Sequence, residues 1–393
     1  MNIADIRKDT PGCTGKLFLN NAGASLNPKI VTDKIVEYLQ QEQVVGGYQL
    51  AAAKDSEINE FYTEVAKLLN CNPENIAYAN SATDAFFRAL SAFTFKTGDV
   101  IVTSNDDYIS NQIAFLSLKK QFHIDVIRAD NLPNGDLDLN HFEELVKQHH
   151  PVLVSLAHIP TNSGLIQDAA AVGAICKKYN TWFLLDACQS AGQLELDVKK
   201  IGCDFLSAAG RKFMRGPRGT GFLYVSDKAL DAGLSPSLID MRGADWIAAD
   251  DYKVQPDAKR FELFESSCAL KLGLKEAVRY ANTIGLQNIY NYNQQLIERL
   301  RNNLSALPGL TLLDKGSNRS NILTFTLNDA NLSDVENHLT VNNVCYSVGF
   351  RNFALIDFNK KNVDWAIRFS PHYYNTLEEM DRAAEIVREI KKI

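Results

Sequence analysis

The chain has 393 residues, of which 46% are hydrophobic and 22% charged, and its formal net charge is -6. This length predicts two or three domains, and the composition excludes disordered, collagen-like and fibrous proteins. The acidic balance and the lack of a basic run argue against a nucleic-acid partner.

The seven cysteines are scattered without a CxxC pair, a pattern typical of reduced thiols in a cytosolic protein. The amino-terminal sequence lacks the apolar core of a signal peptide, and no stretch of roughly 18 apolar residues runs without a charge. We therefore expect a soluble, cytoplasmic protein with no membrane contact. No metal site is predicted.

Residues 1–14 are expected to form an N-terminal arm, after which short apolar runs alternate with amphipathic stretches. The runs lie at 100–102, 152–156, 182–185 and 221–225, and helices are predicted at 139–149 and 168–179. This alternation predicts an α/β domain over residues 15–265, with a mostly parallel sheet covered by helices on both faces.

The pattern changes after about Leu270. A long helical pattern from Leu274 to Leu304 is followed by a strand candidate at 321–327 and a closing helix from Leu377 to Lys392. These elements predict a smaller α+β domain over residues 266–393.

The polar residues that follow the predicted strands carry the chemistry, because ligands of open α/β sheets bind at the carboxyl ends of the strands. The run 182–185 leads into Asp186, and a strand predicted at 204–207 leads into Lys212 and a glycine-rich turn at 216–221. Pyridoxal phosphate requires such a pair: the lysine forms a Schiff base with its aldehyde, and the aspartate keeps its pyridinium nitrogen protonated. The phosphate needs N–H donors at a helix start, which small residues at 80–84 would supply before a helix predicted at 85–93.

With these motifs the sequence resembles the class V aminotransferases of fold type I, which include cysteine desulfurases, isopenicillin-N-epimerase-like proteins and the sulfoxide lyases of ergothioneine synthesis. The resemblance extends from Leu19 to Thr376. Its most specific parts are Asp-Ala-Cys-Gln at 186–189 and Gly-Arg-Lys at 210–212 with the glycine-rich turn that follows. It implies a fold type I transferase-like fold, pyridoxal 5'-phosphate as cofactor, an amino-acid substrate and a homodimer with shared active sites.

The resemblance also implies residue roles. Lys212 would be the catalytic Schiff-base lysine and Asp186 its catalytic partner at the ring nitrogen. Arg368, which would grip the substrate's α-carboxylate, and Asn21 would bind substrate. The implied cofactor-binding residues are Ala82, Thr83, Tyr108, Thr161, Asp186, Gln189, Arg211, Lys212 and Thr220. Among these, the aromatic ring of Tyr108 would stack on the cofactor, and Thr220 would reach the phosphate of the neighbouring subunit.

Three departures separate this sequence from the desulfurases it resembles. Arg211 stands where they carry a histidine, and Thr161 stands where they carry an asparagine. Residues 346–352 contain no cysteine, and Cys345 is expected to pack within a strand, so persulfide transfer through a protein thiol is not expected. A carbon–sulfur lyase is favoured. An aminotransferase or an epimerase of the same family, and a non-catalytic binding protein that keeps the fold, remain as alternatives.

Overall fold

The computed structural model describes residues 1–328 and 330–390. The strands are β1 (Leu17–Phe18), β2 (Ile76–Ala79), β3 (Val100–Ser104), β4 (Asp125–Ala129), β5 (Leu153–Ala157), β6 (Trp182–Asp186), β7 (Phe205–Ala209), β8 (Gly221–Val225), β9 (Ala244–Ala248), β10 (Asp251–Val254), β11 (Leu310–Leu312), β12 (Leu323–Leu327), β13 (Val344–Cys345), β14 (Ser347–Phe350) and β15 (Trp365–Phe369). The helices are α1 (Ile3–Lys8), α2 (Lys29–Val45), α3 (Gly47–Ala53), α4 (Asp55–Leu69), α5 (Ala82–Leu90), α6 (Ile109–Phe122), α7 (Leu139–His149), α8 (Ala169–Lys178), α9 (Val198–Ile201), α10 (Asp227–Asp231), α11 (Cys268–Ile284), α12 (Leu286–Ser305), α13 (Leu332–Val341), α14 (Leu355–Lys361) and α15 (Leu377–Glu389).

The large sheet has seven strands in the order β2-β8-β7-β6-β5-β3-β4. Strands β3 to β7 run parallel, whereas β8 is antiparallel to both of its neighbours. Every residue of β5 and of β7 is buried, as expected for strands covered by helices on both faces. The carboxyl ends of the parallel strands share one edge of the sheet, so the polar residues that follow β5, β6 and β7 lie together.

The small sheet is antiparallel, with the strand order β11-β12-β15-β14. Helices α12 and α15 pack their apolar faces against the inner side chains of this sheet. The shared core includes Leu300 of α12 and Phe369 of β15. The chain's amino-terminal part joins this unit, because β1 pairs in parallel with β13 and Leu19 lies in the same core.

The packing differs from the predicted domain limits of 1–14, 15–265 and 266–393 at two segments. Helix α11, expected in the small domain, lies against α2 of the large one. A β-carbon on Gly273 would stand 2.6 Å from Ile35 Cδ1, so a larger residue there would force the Ile35 side chain to move. Strand β1, expected in the large domain, belongs to the small one through its pairing with β13. Sequence periodicity marks an apolar face but does not show which neighbour covers it.

The predicted elements are close to the observed ones where the pattern is local. Strand β8 and helix α7 have the predicted bounds. The predicted helical pattern from Leu274 to Leu304 is two helices, divided at Gly285, whose φ of 88° lies outside helical geometry. The closing helix ends at Glu389, and the predicted end at Lys392 lies outside the described residues. In the part of the chain that the structure describes, no helix is long and apolar enough to cross a membrane.

Candidate active site

Asp186 is the last residue of β6 and is buried, with both carboxylate oxygens occupied. The Asn111 Nδ2 donates to its Oδ2 at 3.0 Å, and the backbone N–H of Cys188 donates to its Oδ1 at 2.9 Å. The backbone N–H of His158 also donates to the Asp186 carbonyl at 2.9 Å. Two neutral donors therefore fix the carboxylate at the edge of the sheet.

Lys212 lies in the loop after β7 and is also buried, at 6% exposure. Burial lowers the pKa of its ammonium below the ordinary value, against the raising effects of Cys188 and Asp186. Its Nζ stands 5.6 Å from the centre of the Tyr108 ring, and no hydrogen-bond acceptor among the described residues engages it. The amine is thus held available beside an aromatic face.

Tyr108 precedes α6 and is fixed by Asp107. The Tyr108 backbone N–H donates to Asp107 Oδ1 at 2.7 Å, and the same oxygen accepts from Asn111 Nδ2 at 3.0 Å. Asn111 therefore bridges two carboxylates, Asp107 and Asp186. Burial raises the pKa of Asp107 to about 6, against the lowering effect of the hydrogen bonds from Asn111 and Gln112. The bridge ties the aromatic residue and the strand-end carboxylate into one unit.

Gln189 and Thr161 meet at the same edge. The Gln189 Nε2 donates to the Thr161 hydroxyl at 3.4 Å and to the Ala22 carbonyl at 3.1 Å. The Gln189 Oε1 is buried without a partner. The amide is thus oriented by its nitrogen, and its oxygen is left free for a group not present in the chain.

The start of α5 provides an anion site of backbone donors. The helix begins at Ala82, and the Ser81 Oγ accepts the Asp84 N–H at 3.0 Å. No acceptor among the described residues takes the N–H of Ala82 or Thr83. Gly221 of β8 lies against this turn, since a β-carbon there would approach the Ala82 nitrogen to 2.9 Å. Two free N–H groups at a helix start favour a phosphate.

Arg211 and Thr220 lie on the two sides of the glycine-rich turn and are held within the chain. The Arg211 Nη1 donates to the Gly23 carbonyl. Thr220 is 2% exposed, and its hydroxyl donates to the Pro217 carbonyl at 2.7 Å. In the single chain the Thr220 side chain is thus bonded inside its own loop, and its predicted contact with a neighbouring subunit stays a prediction.

Arg368 on β15 is the buried cation of the small domain. Its Nη2 donates to Asn20 Oδ1 at 3.4 Å, and its Nε is buried without a partner. No carboxylate among the described residues pairs with it. Burial, followed by the charge of Arg211, lowers its pKa to about 10. A buried guanidinium without a counter-ion is costly, so the site is complementary to an incoming anion.

Asn21, predicted to bind substrate, has its side chain fully bonded to the fold. Its Nδ2 donates to the Ser370 carbonyl at 2.8 Å, and its Oδ1 accepts from the hydroxyls of Ser25 and Tyr374 at 2.7 and 2.6 Å. The preceding residue, Asn20, is the one that contacts Arg368. Sequence reasoning missed Asn20, although it stands in the same Asn-Asn pair.

Two further residues of the site, Asn111 and His158, were not among the predicted site residues. Asn111 stands three positions after Tyr108, so helical spacing placed it on the same turn of α6 and could have drawn attention to it. His158 directly follows β5, the position at which the other strands carry their functional residues. Its Nδ1 is buried without a partner, and burial lowers its pKa to about 4. His158 is therefore a neutral imidazole beside Asp186.

Comparison with known proteins decides the family. The family model described as aminotransferase class-V matches residues 17–383. This chain belongs to the class V aminotransferase family. It is 28% identical over 397 residues to a probable cysteine desulfurase of Methanothermobacter thermautotrophicus, covering 99% of this chain and 98% of the relative.

Solved structures agree with this assignment. The apo structure of a cysteine desulfurase from Thermococcus onnurineus has a TM-score of 0.92 at 27% identity, covering 100% of this chain and 99% of that one. A complex of the cystine C–S lyase C-DES with cysteine persulfide has a TM-score of 0.85 at 21% identity, covering 97% and 99%. At that identity the second match shows a shared fold. The predicted fold type I fold, class V family and dependence on pyridoxal phosphate are confirmed. The predicted carbon–sulfur chemistry agrees with the names of these relatives.

The residues of this class V chain fit pyridoxal phosphate. Two buried polar atoms without partners, Gln189 Oε1 and His158 Nδ1, belong to residues around Lys212 and Asp186. Lys212 would hold the aldehyde carbon, Asp186 the ring nitrogen, Gln189 the ring hydroxyl, and the start of α5 the phosphate. In residues 1–328 and 330–390, no group of three or more His, Cys, Asp or Glu side chains could hold a metal ion.

Proposed function

We propose that this enzyme is a carbon–sulfur lyase that acts on cysteine or a cysteine derivative. The observation that carries the proposal is the meeting of three buried groups: a lysine amine, a hydrogen-bonded carboxylate and a guanidinium without a counter-ion. An α-amino acid carries an amine, which can react where the lysine amine does, and a carboxylate, which can pair with the guanidinium. Lys212 would hold pyridoxal phosphate where the substrate amine can reach it, and Arg368 would pair with the substrate's α-carboxylate.

Bound pyridoxal phosphate supplies an electron sink for the charge left when the substrate's Cα–H bond breaks. Lys212 takes this proton on its Nζ, which burial favours in the neutral form. Asp186 holds the proton of the ring nitrogen, and the Asn111 and Cys188 donors fix its position. Tyr108 covers one face of the site and excludes water from it.

The elimination of sulfur then needs no reagent other than water. The Cβ–S bond breaks with both electrons leaving on sulfur, and the departing thiolate takes a proton. Water converts the three-carbon remainder to pyruvate and ammonium. The segment 346–354 that borders the small-domain side of the site contains no cysteine, which supports elimination over transfer of sulfur to a thiol of the chain.

Product analysis on the purified holoenzyme tests this proposal. We expect pyruvate and ammonium in equal amounts, together with sulfide from cysteine, cysteine persulfide from cystine and a thiol from each S-alkyl cysteine. Keto acid formed only with an amino acceptor would identify an aminotransferase, and loss of optical activity without other products would identify an epimerase. Either result would overturn the proposal, and so would a lack of turnover on every amino acid.

The cofactor position is tested separately. Borohydride reduction of the holoenzyme should leave a pyridoxyl group on Lys212. Lys212→Ala should retain cofactor through its phosphate but lose turnover. Lys228→Ala is the control, because this lysine lies over Trp182 at the opposite end of the sheet. A label on another lysine would contradict the assignment of the site.

We further propose a homodimer with shared active sites. A surface formed by Leu238, Met241, Trp246 and Tyr252 around the β9–β10 hairpin is apolar and exposed, with Trp246 at 81%. Clustered apolar side chains of this kind mark interfaces, and a second copy of the chain is the partner. Sedimentation should show a dimer that Trp246→Lys dissociates. A parent protein that sediments as a monomer at micromolar concentration would contradict this.

A cytoplasmic location completes the proposal. All seven cysteines are free thiols, including the half-buried Cys71 and Cys268, which supports a reducing compartment. Fractionation of the source cells with an antibody against this chain tests the location.

A further inference from the structure

A cavity of about 260 Å³ opens beside Thr161, between the start of α6 and the small domain. Ile109 and Ile113 of α6 line one wall, and Phe353 and Leu355 of the small domain line the other. An apolar cavity of about 150 Å³ is enough to hold benzene. The space therefore accepts a group much larger than a thiol.

The cavity adjoins the candidate active site through two residues, Thr161 and Asp107. Thr161, which lines it, accepts the hydrogen bond from Gln189 at 3.4 Å. Asp107, which also lines it, accepts the backbone N–H of Tyr108 at 2.7 Å. Two residues that line the cavity thus also bond to residues of the candidate active site, so a group in the cavity lies next to that site.

The acids of the cavity have bonding partners within the chain. Asp106 and Asp357 both pair with Lys315, at 2.6 and 2.7 Å. Asp107 accepts hydrogen bonds from Thr103, Asn111 and Gln112 besides the Tyr108 N–H. None of these carboxylates needs a cation from outside.

Arg128 also lines the cavity, and it forms no ion pair with a carboxylate of the described residues. Its Nε and Nη2 both donate to the amide oxygen of Gln112, at 2.9 and 2.6 Å. Gln112 is neutral and stands between Arg128 and Asp107. No carboxylate among the described residues forms an ion pair with this guanidinium; Asp107, the acid whose charge acts on it, bonds to Gln112 instead.

The thiols of the chain leave this space free. No cysteine lines the cavity. Cys345, the cysteine nearest to this part of the sequence, lies in β13, where it is paired with Phe18 of β1. The group that leaves with the sulfur must then be held by the cavity itself.

We propose that this cavity binds the sulfur substituent of the substrate, and that the preferred substrates are cysteine S-conjugates whose substituent is apolar and ends in a carboxylate. The proposal rests on the carbon–sulfur lyase function above. Ile113 and Phe353 contact the apolar part, and Arg128 pairs with the terminal carboxylate. The bond changes are those of the elimination already described, with the conjugate's thiol as the leaving group.

Two matched substrates test the proposal on the holoenzyme: S-benzyl-L-cysteine and S-(4-carboxybenzyl)-L-cysteine. We expect kcat/KM to be about tenfold higher for the carboxylated conjugate, the size of one charge-assisted hydrogen-bonded pair. Arg128→Met should abolish this preference, and Arg128→Lys should restore part of it. Arg351→Met is the control, because Arg351 forms a surface ion pair with Asp364 outside the cavity.

A steric variant and a binding measurement complete the design. Ile113 is half exposed, so Ile113→Trp fills the cavity without disturbing the core, and it should raise KM for both conjugates. The product thiol, 4-(mercaptomethyl)benzoate, should bind the parent protein in calorimetry and lose affinity in Arg128→Met. Equal kcat/KM for the two conjugates in the parent would overturn the proposal while leaving the lyase function intact. Failure of both conjugates and of cysteine would instead overturn the lyase function.

Discussion

The two buried charges of the site, Asp186 on the large sheet and Arg368 on the small one, differ in how the chain satisfies them. The Asp186 oxygens accept two hydrogen bonds, at 3.0 and 2.9 Å. Among the described residues, the Arg368 guanidinium donates one hydrogen bond, from Nη2 to Asn20 Oδ1 at 3.4 Å, and its Nε has no partner. The satisfied group marks the part of the site that is preorganised for the cofactor. The unsatisfied one is the group that the proposed function pairs with a substrate carboxylate.

Of the substitutions that test this difference, Asp186→Asn should have the largest effect on activity. The variant keeps the shape of the side chain but removes the charge that holds the ring-nitrogen proton. We expect kcat to fall about a thousandfold, as for other preorganised electrostatic groups. Cofactor affinity should change much less, since the phosphate and Lys212 still hold it. Steady-state kinetics and cofactor titration measure the two quantities.

Asp204→Asn is the matched control for that prediction. Asp204 is buried at the other end of the neighbouring strand, where its Oδ2 accepts the Phe183 N–H at 2.9 Å and its Oδ1 stands 3.3 Å from the Lys228 ammonium. Its replacement should lower the melting temperature and leave kcat unchanged. Near-parental turnover in Asp186→Asn would make Asp186 a structural residue like Asp204.

Arg368→Ala should act on binding more than on chemistry. It removes the guanidinium that pairs with the α-carboxylate, so we expect KM to rise about a hundredfold. Arg368→Lys should recover only part of this, because lysine lacks the planar fork of donors. Amines without a carboxylate should lose nothing in Arg368→Ala. A larger loss in kcat than in KM would show that Arg368 acts on the reaction step instead.

The same contrast explains what the sequence could predict. Asp186 and Lys212 follow apolar runs directly, so local pattern was enough to locate them. The Asn111 bridge to Asp186 joins residues 75 positions apart, and the contact of Asn20 with Arg368 spans 348. Such contacts depend on how the sheet and the two domains pack. The contact of Asn20 with Arg368 could not be foreseen for the same reason, and the predicted role of Asn21 in substrate binding stays a prediction.

Prediction of the fold from sequence meets the same limit, because local elements are predictable and long-range pairings are not. The bounds of strand β8 and helix α7 follow from the residues of these elements alone. The pairing of β1 with β13 joins the two ends of the chain, and neither two-residue strand has a pattern of its own. The break at Gly285 was readable in principle, since glycine ends helices with positive φ. The apolar spacing continues across it and conceals it.

Replacing His158 should have a smaller effect than the substitutions above, and the effect should be on the pH dependence of stability. Its folded pKa of about 4 lies below the ordinary 6.5 because of burial. Stability from the neutral imidazole is therefore fully present above pH 6.5 and is lost as the pH falls toward 4. Between pH 7.5 and pH 5 the parent apoprotein should lose about 2 kcal/mol more unfolding free energy than His158→Gln. Urea unfolding at the two pH values measures this.

His149→Gln is the control for that comparison. His149 lies at the end of α7, half-buried on the surface, and its replacement should leave the acid sensitivity of the parent unchanged. Equal acid sensitivity of His158→Gln and the parent would show that His158 is charged in the folded protein.

Cys345→Ser should have the smallest effect of all. A thiol that accepts sulfur from a substrate needs a mobile loop and an activated thiolate. Cys345 instead lies in β13, and its carbonyl accepts the Leu19 N–H at 2.8 Å, which holds this residue between the strand and the start of the chain. We expect lyase turnover within about twofold of the parent, well inside the effect of losing any group that contacts the reaction. Cys71→Ser, another half-buried thiol on the large domain, should behave alike. If Cys345→Ser abolishes turnover and mass spectrometry finds a persulfide on Cys345 in the parent, sulfur passes through the chain and the enzyme is a desulfurase.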